Sequence, residues 1–214
     1  MSDENRLWHN DALAQKVVAA LINNRFTASY VKTAAAANEE ILKLINPTDT
    51  VGIGGSMTVK DIGLLDSLAQ RGNTLFNHGV SGLTPEESLA IRRKELTSDV
   101  FLTGTNAITL DGQLVNVDGS GNRVAAMIFG PKKVIVVVGI NKIVEDTHAA
   151  YRRIRLEAAP INNKRLNRPN PCTVSGICMD CQGPTRICNV TTIIKKALPQ
   201  TPTHVIIIGE SLGY

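Results

Sequence analysis

The chain has 214 residues, of which 43% are hydrophobic and 20% charged, and its formal net charge is +4. These values are ordinary for a soluble globular protein, and the charge is too small to predict a nucleic-acid partner. The polar, acidic start MSDENRLWHN is not typical of a signal peptide, and the longest apolar runs, VIVVVGI and HVIIIG, are too short to span a membrane. We therefore expect a cytoplasmic protein without membrane insertion.

Residues 1–46 are predicted to form a helical segment. Apolar residues recur at helical spacing over 7–22 and, less regularly, over 31–45. Asn46-Pro47 ends the segment, because the residue before a proline is disfavoured in the α region. The segment contains no convergent set of catalytic side chains, so we expect it to support the fold, with Trp8 packing onto the core.

From residue 50 onward, strand and helix patterns alternate. TVGIGG, SDVFLTG, KKVIVVVGI and THVIIIG are predicted strands, and KKVIVVVGI has no polar alternation, so both its faces should be buried. Thr84 and Glu87 form a capping-box pattern that begins a helix, and Asp111-Gly112 is the predicted turn of a hairpin. The alternation predicts one α/β domain over residues 1–214, with a mostly parallel sheet and helices on both faces.

The stretch VGIGGSMTVKDIGLL predicts a strand that ends in glycines and is followed by a helix. Gly52, Gly54 and Gly55 would let the backbone approach a ligand closely, and Ser56 and Thr58 would add hydroxyl groups beside free helical N–H groups. The stretch matches neither a Walker A loop nor GxGxxG. We expect it to bind a small anion. The alternative is a tight turn in which Ser56 only caps the helix.

A second glycine-rich stretch, TGTNAITLDGQLVNVDGSGNRVA, also follows a predicted strand. Ligands of open α/β sheets lie beyond the carboxyl ends of the strands, so both stretches are expected to line one crevice. Arginine and lysine there would attract an acidic ligand, arginine as a bidentate fork and lysine as a point charge. The expected ligand-facing residues of this region are Gly104, Thr105, Asn106, Asn122, Arg123 and Lys142. Asp111 and Asp118 are better explained as turn residues.

Two long stretches, GIGGSMTVKDIGL and SDVFLTGTNAITLDGQLVNVDGSGNRVAAMIFGPKKVIVVVGINKIVED, resemble the LUD-domain family of lactate-utilisation proteins of the YkgG type. The resemblance covers nearly the whole chain. It implies a Rossmann-like α/β core similar to that of sugar-phosphate isomerases and CoA-transferases. It also implies an accessory or electron-transferring component of an iron–sulfur-dependent system that oxidises L-lactate to pyruvate. The implied partners are iron–sulfur oxidoreductase subunits, and a homo-oligomer is compatible with the sequence.

Catalytic residues are not assigned by this resemblance. Isomerases of the related fold commonly carry Gly-Ala-Asp where this chain has Gly104-Thr105-Asn106, and an amide cannot serve as the base that a carboxylate provides. Glu145 is better explained by a helix start than as a CoA-transferase nucleophile. His78 either faces the crevice or is structural. Two alternatives therefore remain: a stand-alone enzyme acting on a phosphorylated sugar or CoA thioester, and a non-catalytic, metal-stabilised ligand-binding protein.

All four cysteines lie within CTVSGICMDCQGPTRIC, inside a predicted insertion over residues 159–190 whose first part, APINNKRLNRPNP, is predicted to be a loop. Four thiolates around a C-x2-C pair suit a [4Fe–4S] cluster, whereas a zinc ribbon usually has two such pairs. Nearby arginines and lysines should favour thiolates. The predicted metal ligands are Cys172, Cys178, Cys181 and Cys188, with zinc, and free thiols or disulfides, as alternatives.

Overall fold

A computed structural model describes residues 3–214. The helices are α1 Glu4–Asn23, α2 Ala34–Leu44, α3 Met57–Asp61, α4 Leu64–Gln70, α5 Pro85–Glu95, α6 Asn122–Ile128, α7 Thr147–Arg153, α8 Ala159–Arg165 and α9 Cys172–Ser175. The strands are β1 Thr27–Val31, β2 Thr50–Ile53, β3 Thr74–Phe76, β4 Val100–Thr103, β5 Ala107–Thr109, β6 Leu114–Asp118, β7 Lys133–Gly139, β8 Ile143–Val144, β9 Val190–Ile194 and β10 Thr203–Ile208. A 3-10 turn, Ile140–Lys142, precedes β8, and a π-helical turn, Ile154–Ala158, joins α7 to α8.

Six strands form one parallel sheet in the order β1-β10-β7-β4-β2-β3, which confirms the predicted α/β fold. Alternate residues of the central strand β7 enter two separate cores. Val134, Val136 and Val138 pack in the core that contains the apolar side of α1, and Ile135 and Val137 pack in the core that contains residues of α2, α3 and α4. Helices therefore cover both faces, as the unbroken apolar run of β7 predicts.

The N-terminal segment is helical except for one strand that the sequence reading missed. Residues Thr27–Val31 form β1, which pairs in parallel with β10 at one edge of the main sheet. Helix α1 stops at a turn in which Arg25 has a φ of +69°, so the chain reverses direction before the strand. The exposed side chain of Trp8 does not anchor α1; Ala14, Val17 and Leu21 do.

Two local predictions made from turn and cap residues are confirmed. The side chain of Thr84 accepts a hydrogen bond from the Glu87 amide, and the Glu87 carboxylate accepts one from the Thr84 amide, which completes the capping box of α5. Strands β5 and β6 pair as a hairpin around Gly112, whose φ is +76°. A Cβ at Gly112 would lie 2.8 Å from backbone atoms of α1, so glycine also allows this turn to contact the helix.

The segment before the cysteines is largely helical rather than a loop. The π-helical turn leads directly into α8, so Pro160 lies inside a continuous helical run. Proline has no N–H to donate to the preceding turn, and the carbonyl of Arg155 accepts instead from the amide of Cys178 at 2.9 Å. After Arg165 the chain has no regular structure except α9 until it reaches β9. Strand β9 joins β8, β5 and β6 in a second, mixed sheet of order β8-β5-β6-β9.

Across residues 3–214, no helix combines the length and the apolar character needed to cross a membrane.

The sheet brings the two glycine-rich stretches to the same edge. Strands β2 and β4 are neighbours, with Ile53 opposite Leu102, and both run in parallel toward the glycines. We call the residues after β2, beginning with Gly54, the first glycine loop, and those after β4, beginning with Gly104, the second loop. The amide of Gly54 donates to the carbonyl of Leu102 at 2.8 Å, which extends the pairing into the first glycine loop. The ends of β4 and β7 are also adjacent. The loops after these strands therefore enclose one space.

Candidate functional site

A cavity of about 350 Å³ lies between the two glycine-rich loops, α8 and the C-terminal residues. Nine of the ligand-facing residues proposed from the sequence line it: Gly54, Gly55, Ser56, Gly104, Thr105, Asn106, Asn122, Arg123 and Lys142. The predicted crevice is therefore present, because the carboxyl ends of neighbouring parallel strands meet at one edge of the sheet.

Two of the proposed ligand-facing residues do not line the cavity. Gly52 lies inside β2, where a Cβ would lie 2.8 Å from the Ser98 hydroxyl and 3.0 Å from the Glu95 backbone, so its role is to let α5 approach the strand. Thr58 is fully buried. Its hydroxyl accepts a hydrogen bond from the Lys142 ammonium at 2.9 Å, so any effect of Thr58 on a ligand acts through Lys142.

Two glycines of the loops are required by the geometry. Gly55 has a φ of +66°, a conformation that side chains rarely adopt. A Cβ at Gly104 would lie 2.7 Å from the Ser56 hydroxyl oxygen, so any other residue here would displace the side chain that caps α3. Ser56 caps α3 by accepting a hydrogen bond from the Val59 amide at 3.3 Å, and it also borders the cavity. The capping role and the cavity-lining position proposed from the sequence are thus both present.

Lys142 places a buried positive charge at the cavity. Its residue is 3% exposed, and its ammonium forms no salt bridge within residues 3–214. Burial, together with the nearby positive charges of Arg153 and Arg123, lowers the pKa of Lys142 to about 8. Thr58 engages one of the three ammonium hydrogens. The remaining donors, and a charge that no salt bridge neutralises, suit an anionic group in the cavity.

Arg123 contributes charge to the cavity, but its hydrogen-bond donors are already bonded to other groups of the protein. The guanidinium donates to the side-chain oxygens of Asn116 at 2.6 Å and Asn106 at 3.1 Å and to the Val117 carbonyl at 2.9 Å. Its Nε lies 3.3 Å from Asp118. The bidentate contact with a ligand that the sequence suggested is therefore not available in this arrangement. Arg123 instead fixes the second loop and adds long-range attraction for an anion.

Sequence reasoning missed several residues of the cavity wall. Arg92 comes from α5, and the exposed Arg165 and Arg168 border the cavity on the side of α8, while Tyr214 belongs to the C-terminal residues. None of them lies in a glycine-rich stretch, and the fold alone brings them to the site. Asp118 also lines the cavity, where its carboxylate accepts from the amides of Ser120 and Gly121, in keeping with its predicted turn role. The wall is strongly basic.

His78 also lines the cavity and is paired with a buried carboxylate. Its Nδ1 lies 2.6 Å from Oε1 of Glu95, which is 1% exposed. The same oxygen accepts from the backbone amide of His78 at 3.2 Å. The other ring nitrogen, Nε2, lies 3.7 Å from the point that a Cβ on Gly55 would occupy, so it faces the first glycine loop.

Comparison with known proteins identifies the family. The sequence profile of the LUD domain matches residues 14–208. The chain belongs to the LUD-domain family. Its fold is also similar to that of a solved DUF162 family protein from Deinococcus radiodurans, with a TM-score of 0.56 and 15% identity over 94% of this chain and 98% of the other. A comparison with curated protein sequences found no match.

The four cysteines of this LUD domain lie close to the cavity but are not gathered as metal ligands. Cys172 is buried in α9, the other three thiols are half-buried, and Ile187, next to Cys188, lines the cavity. Within residues 3–214, no group of three or more His, Cys, Asp or Glu side chains is placed to hold a metal ion. The four thiols match a metal centre in their chemistry, whereas the described geometry does not fit one.

The environment of Cys172 and Cys188 differs from the expectation that basic residues favour thiolates. Burial and repulsion from Cys178 outweigh the attraction of Arg186 and raise the pKa of Cys188 to about 11. Burial likewise raises the pKa of Cys172, with added repulsion from Cys181 and Cys178. The sequence showed the charges but not the burial. Because the four thiols affect one another electrostatically, they lie close together.

Proposed function

We propose that this LUD-domain protein binds a small anionic metabolite in the cavity as an accessory or electron-transferring component of L-lactate oxidation in the cytoplasm. The proposal rests on the buried ammonium of Lys142, which has a hydroxyl partner but no salt bridge in residues 3–214, because burying a charge is costly unless a group of opposite sign binds it. Lactate and pyruvate each carry one carboxylate, the kind of group that Lys142 suits. Family membership supports the link with lactate, and iron–sulfur oxidoreductase subunits are the proposed partners.

A ligand screen tests this proposal. Calorimetric titration with lactate, pyruvate, inorganic phosphate, a sugar phosphate and CoA, each at neutral pH, should give saturable heat with a small carboxylate. Arg152→Met removes a positive charge from the exposed side of α7, away from the cavity, and should bind the carboxylate as tightly as the parent does. Absence of saturable binding by every compound would refute the proposed anion site.

A stand-alone enzyme acting on a phosphorylated substrate is the second candidate. Arg165 and Arg168 border the cavity in addition to Lys142, so a ligand with two anionic groups would contact both sides at once. The His78–Glu95 pair also offers a group suited to proton transfer. Tighter binding of the sugar phosphate or CoA than of lactate and pyruvate in the same screen would favour this candidate.

Ser56→Ala should weaken both the ligand complex and the fold. Loss of the cap on α3 should lower the free energy of unfolding by about 1 kcal/mol. Loss of a hydroxyl donor to the ligand should weaken binding by on the order of 1 kcal/mol, and by more if the group it contacts is charged. Ser56→Thr keeps the hydroxyl and serves as the matched control. If Ser56→Ala loses stability but binds the ligand as tightly as the parent, Ser56 is a cap alone.

We also propose that the cysteine segment binds a [4Fe–4S] cluster after rearrangement of its thiols, with zinc as the alternative. Protein purified without oxygen should then contain about four irons and four sulfides per chain and absorb broadly near the blue edge of the visible range. Cys181→Ser should lose most of the metal, whereas Met179→Leu, an exposed change inside the same C-x2-C pair, should retain it. Colourless protein with zinc would support the alternative. If the protein contained neither iron nor zinc, the cysteines would be free thiols or disulfides and the metal proposal would be wrong.

A further inference from the structure

The His78–Glu95 pair has a geometry that anion binding by Lys142 alone does not require. Glu95 is almost completely buried, and its Oε1 contacts both the ring Nδ1 and the backbone amide of His78. Its second oxygen, Oε2, is buried without a hydrogen-bond partner in the described chain. A carboxylate in this position is costly to bury, and its contacts are concentrated on one imidazole at the wall of the cavity.

The fold fixes both members of the pair from different elements. His78 follows β3, whereas Glu95 is the last residue of α5, and the bare Cα of Gly52 lets that end of α5 approach β2. A carboxylate accepts hydrogen bonds and cannot donate them, so Nδ1 must be the donor in this contact. In a neutral imidazole the single ring proton is therefore on Nδ1. Nε2 then presents a lone pair toward the first glycine loop and the cavity.

The charges around the cavity determine whether Nε2 of His78 binds a proton. The charged groups around His78 are Glu95 and Arg92 from α5 and, elsewhere on the cavity wall, Asp118, Arg123, Lys142, Arg165 and Arg168. An imidazolium in the empty cavity would share it with five positive side chains and with one carboxylate besides Glu95. A bound anion reduces that repulsion, and Glu95 remains on the other side of the ring to stabilise the added charge.

We infer that His78 takes up a proton from solvent at Nε2 when the anion binds and then donates a hydrogen bond to an oxygen of the ligand. The inference rests on the proposed anion site. Glu95 is a positioning residue, because it contacts His78 and does not line the cavity. The favoured ligand is an anion that has an oxygen acceptor beside its charged group, such as a 2-oxo or 2-hydroxy acid. His78 would distinguish such a ligand from a simple carboxylate.

Calorimetry with pyruvate in two amine buffers, Tris and bis-Tris, tests this inference, because they differ in heat of ionisation and do not compete as anions. At about pH 7, Lys142, with a pKa of about 8, is already mostly protonated and contributes little uptake. The heat with the parent protein should depend on the buffer in the direction of proton uptake. His78→Gln should abolish that dependence and weaken binding on the order of tenfold or more. Glu95→Gln should reduce the proton uptake.

Controls separate this role from a structural one. His148→Gln, on the exposed side of α7, should behave as the parent does. Acetate, which has no second oxygen-bearing group, should bind more weakly than pyruvate to the parent, and the difference should shrink in His78→Gln. Buffer-independent heat with the parent would overturn the inference and leave the anion site intact. Failure of the parent to bind pyruvate, lactate and phosphate would overturn both.

Discussion

Replacing Arg123 by methionine should lower the free energy of unfolding by roughly 3 to 5 kcal/mol, the range for breaking a buried ion pair from one side. The guanidinium joins the β5–β6 hairpin to the start of α6, and its loss leaves Asp118 without its cation and the side-chain oxygens of Asn106 and Asn116 with fewer donors. Urea unfolding measures the effect. Arg152→Met, an exposed change of the same type, should change stability little.

A double-mutant cycle determines how much of this loss belongs to the ion pair. Asp118→Asn removes the charge but keeps a polar side chain, and in an Arg123→Met background it should cost less than it does in the parent. A loss of less than about 1 kcal/mol for Arg123→Met would mean that solvent replaces its contacts readily. The second loop would then be held by other interactions.

Lys142→Met should weaken anion binding on the order of 10- to 100-fold without lowering stability. Methionine fills the space of the lysine stem, and the change removes a buried charge that has no carboxylate partner. Calorimetry with pyruvate and urea unfolding measure the two effects. Lys60→Met, on the exposed side of α3, serves as the control. Equal binding by Lys142→Met and the parent would remove Lys142 from the site.

The lowered pKa of Lys142 also predicts how binding depends on pH. The ammonium is charged below a pKa of about 8 and neutral above it, so the affinity of the parent for an anion should fall as the pH rises through about 8. A bound anion stabilises the charged form, so the pH at which half of the protein is occupied should rise as the ligand concentration increases. Lys142→Met should lack this transition. An unchanged transition in that variant would assign it to another group.

The sequence predicted the cavity because its main walls follow from local rules. A strand that ends in Gly54-Gly55 and another that ends in Gly104 must bring their loops together if they are neighbours in a parallel sheet. The capping box at Thr84 and the hairpin turn at Gly112 are equally local and were also predicted. In each case the deciding residues lie within a few positions of one another.

What the sequence did not predict depends on tertiary packing. Strand β1 is short and lies between two helices, and its identity follows from pairing with β10, more than 170 positions away. His78 and Glu95 are separated by 17 positions and meet only because α5 packs against β2. Arg123 was correctly placed at the cavity, but the partners that occupy its donors are visible only in the structure.

The most direct test of the anion site compares pyruvate with pyruvamide, its uncharged amide of nearly equal shape. In calorimetric titrations of the parent protein at about pH 7, pyruvate should bind at least on the order of tenfold more tightly than pyruvamide, because only pyruvate offers a charge to Lys142. In Lys142→Met the two affinities should approach each other. Equal affinity of the parent for both compounds, or no saturable heat with pyruvate, lactate or phosphate, would contradict the account.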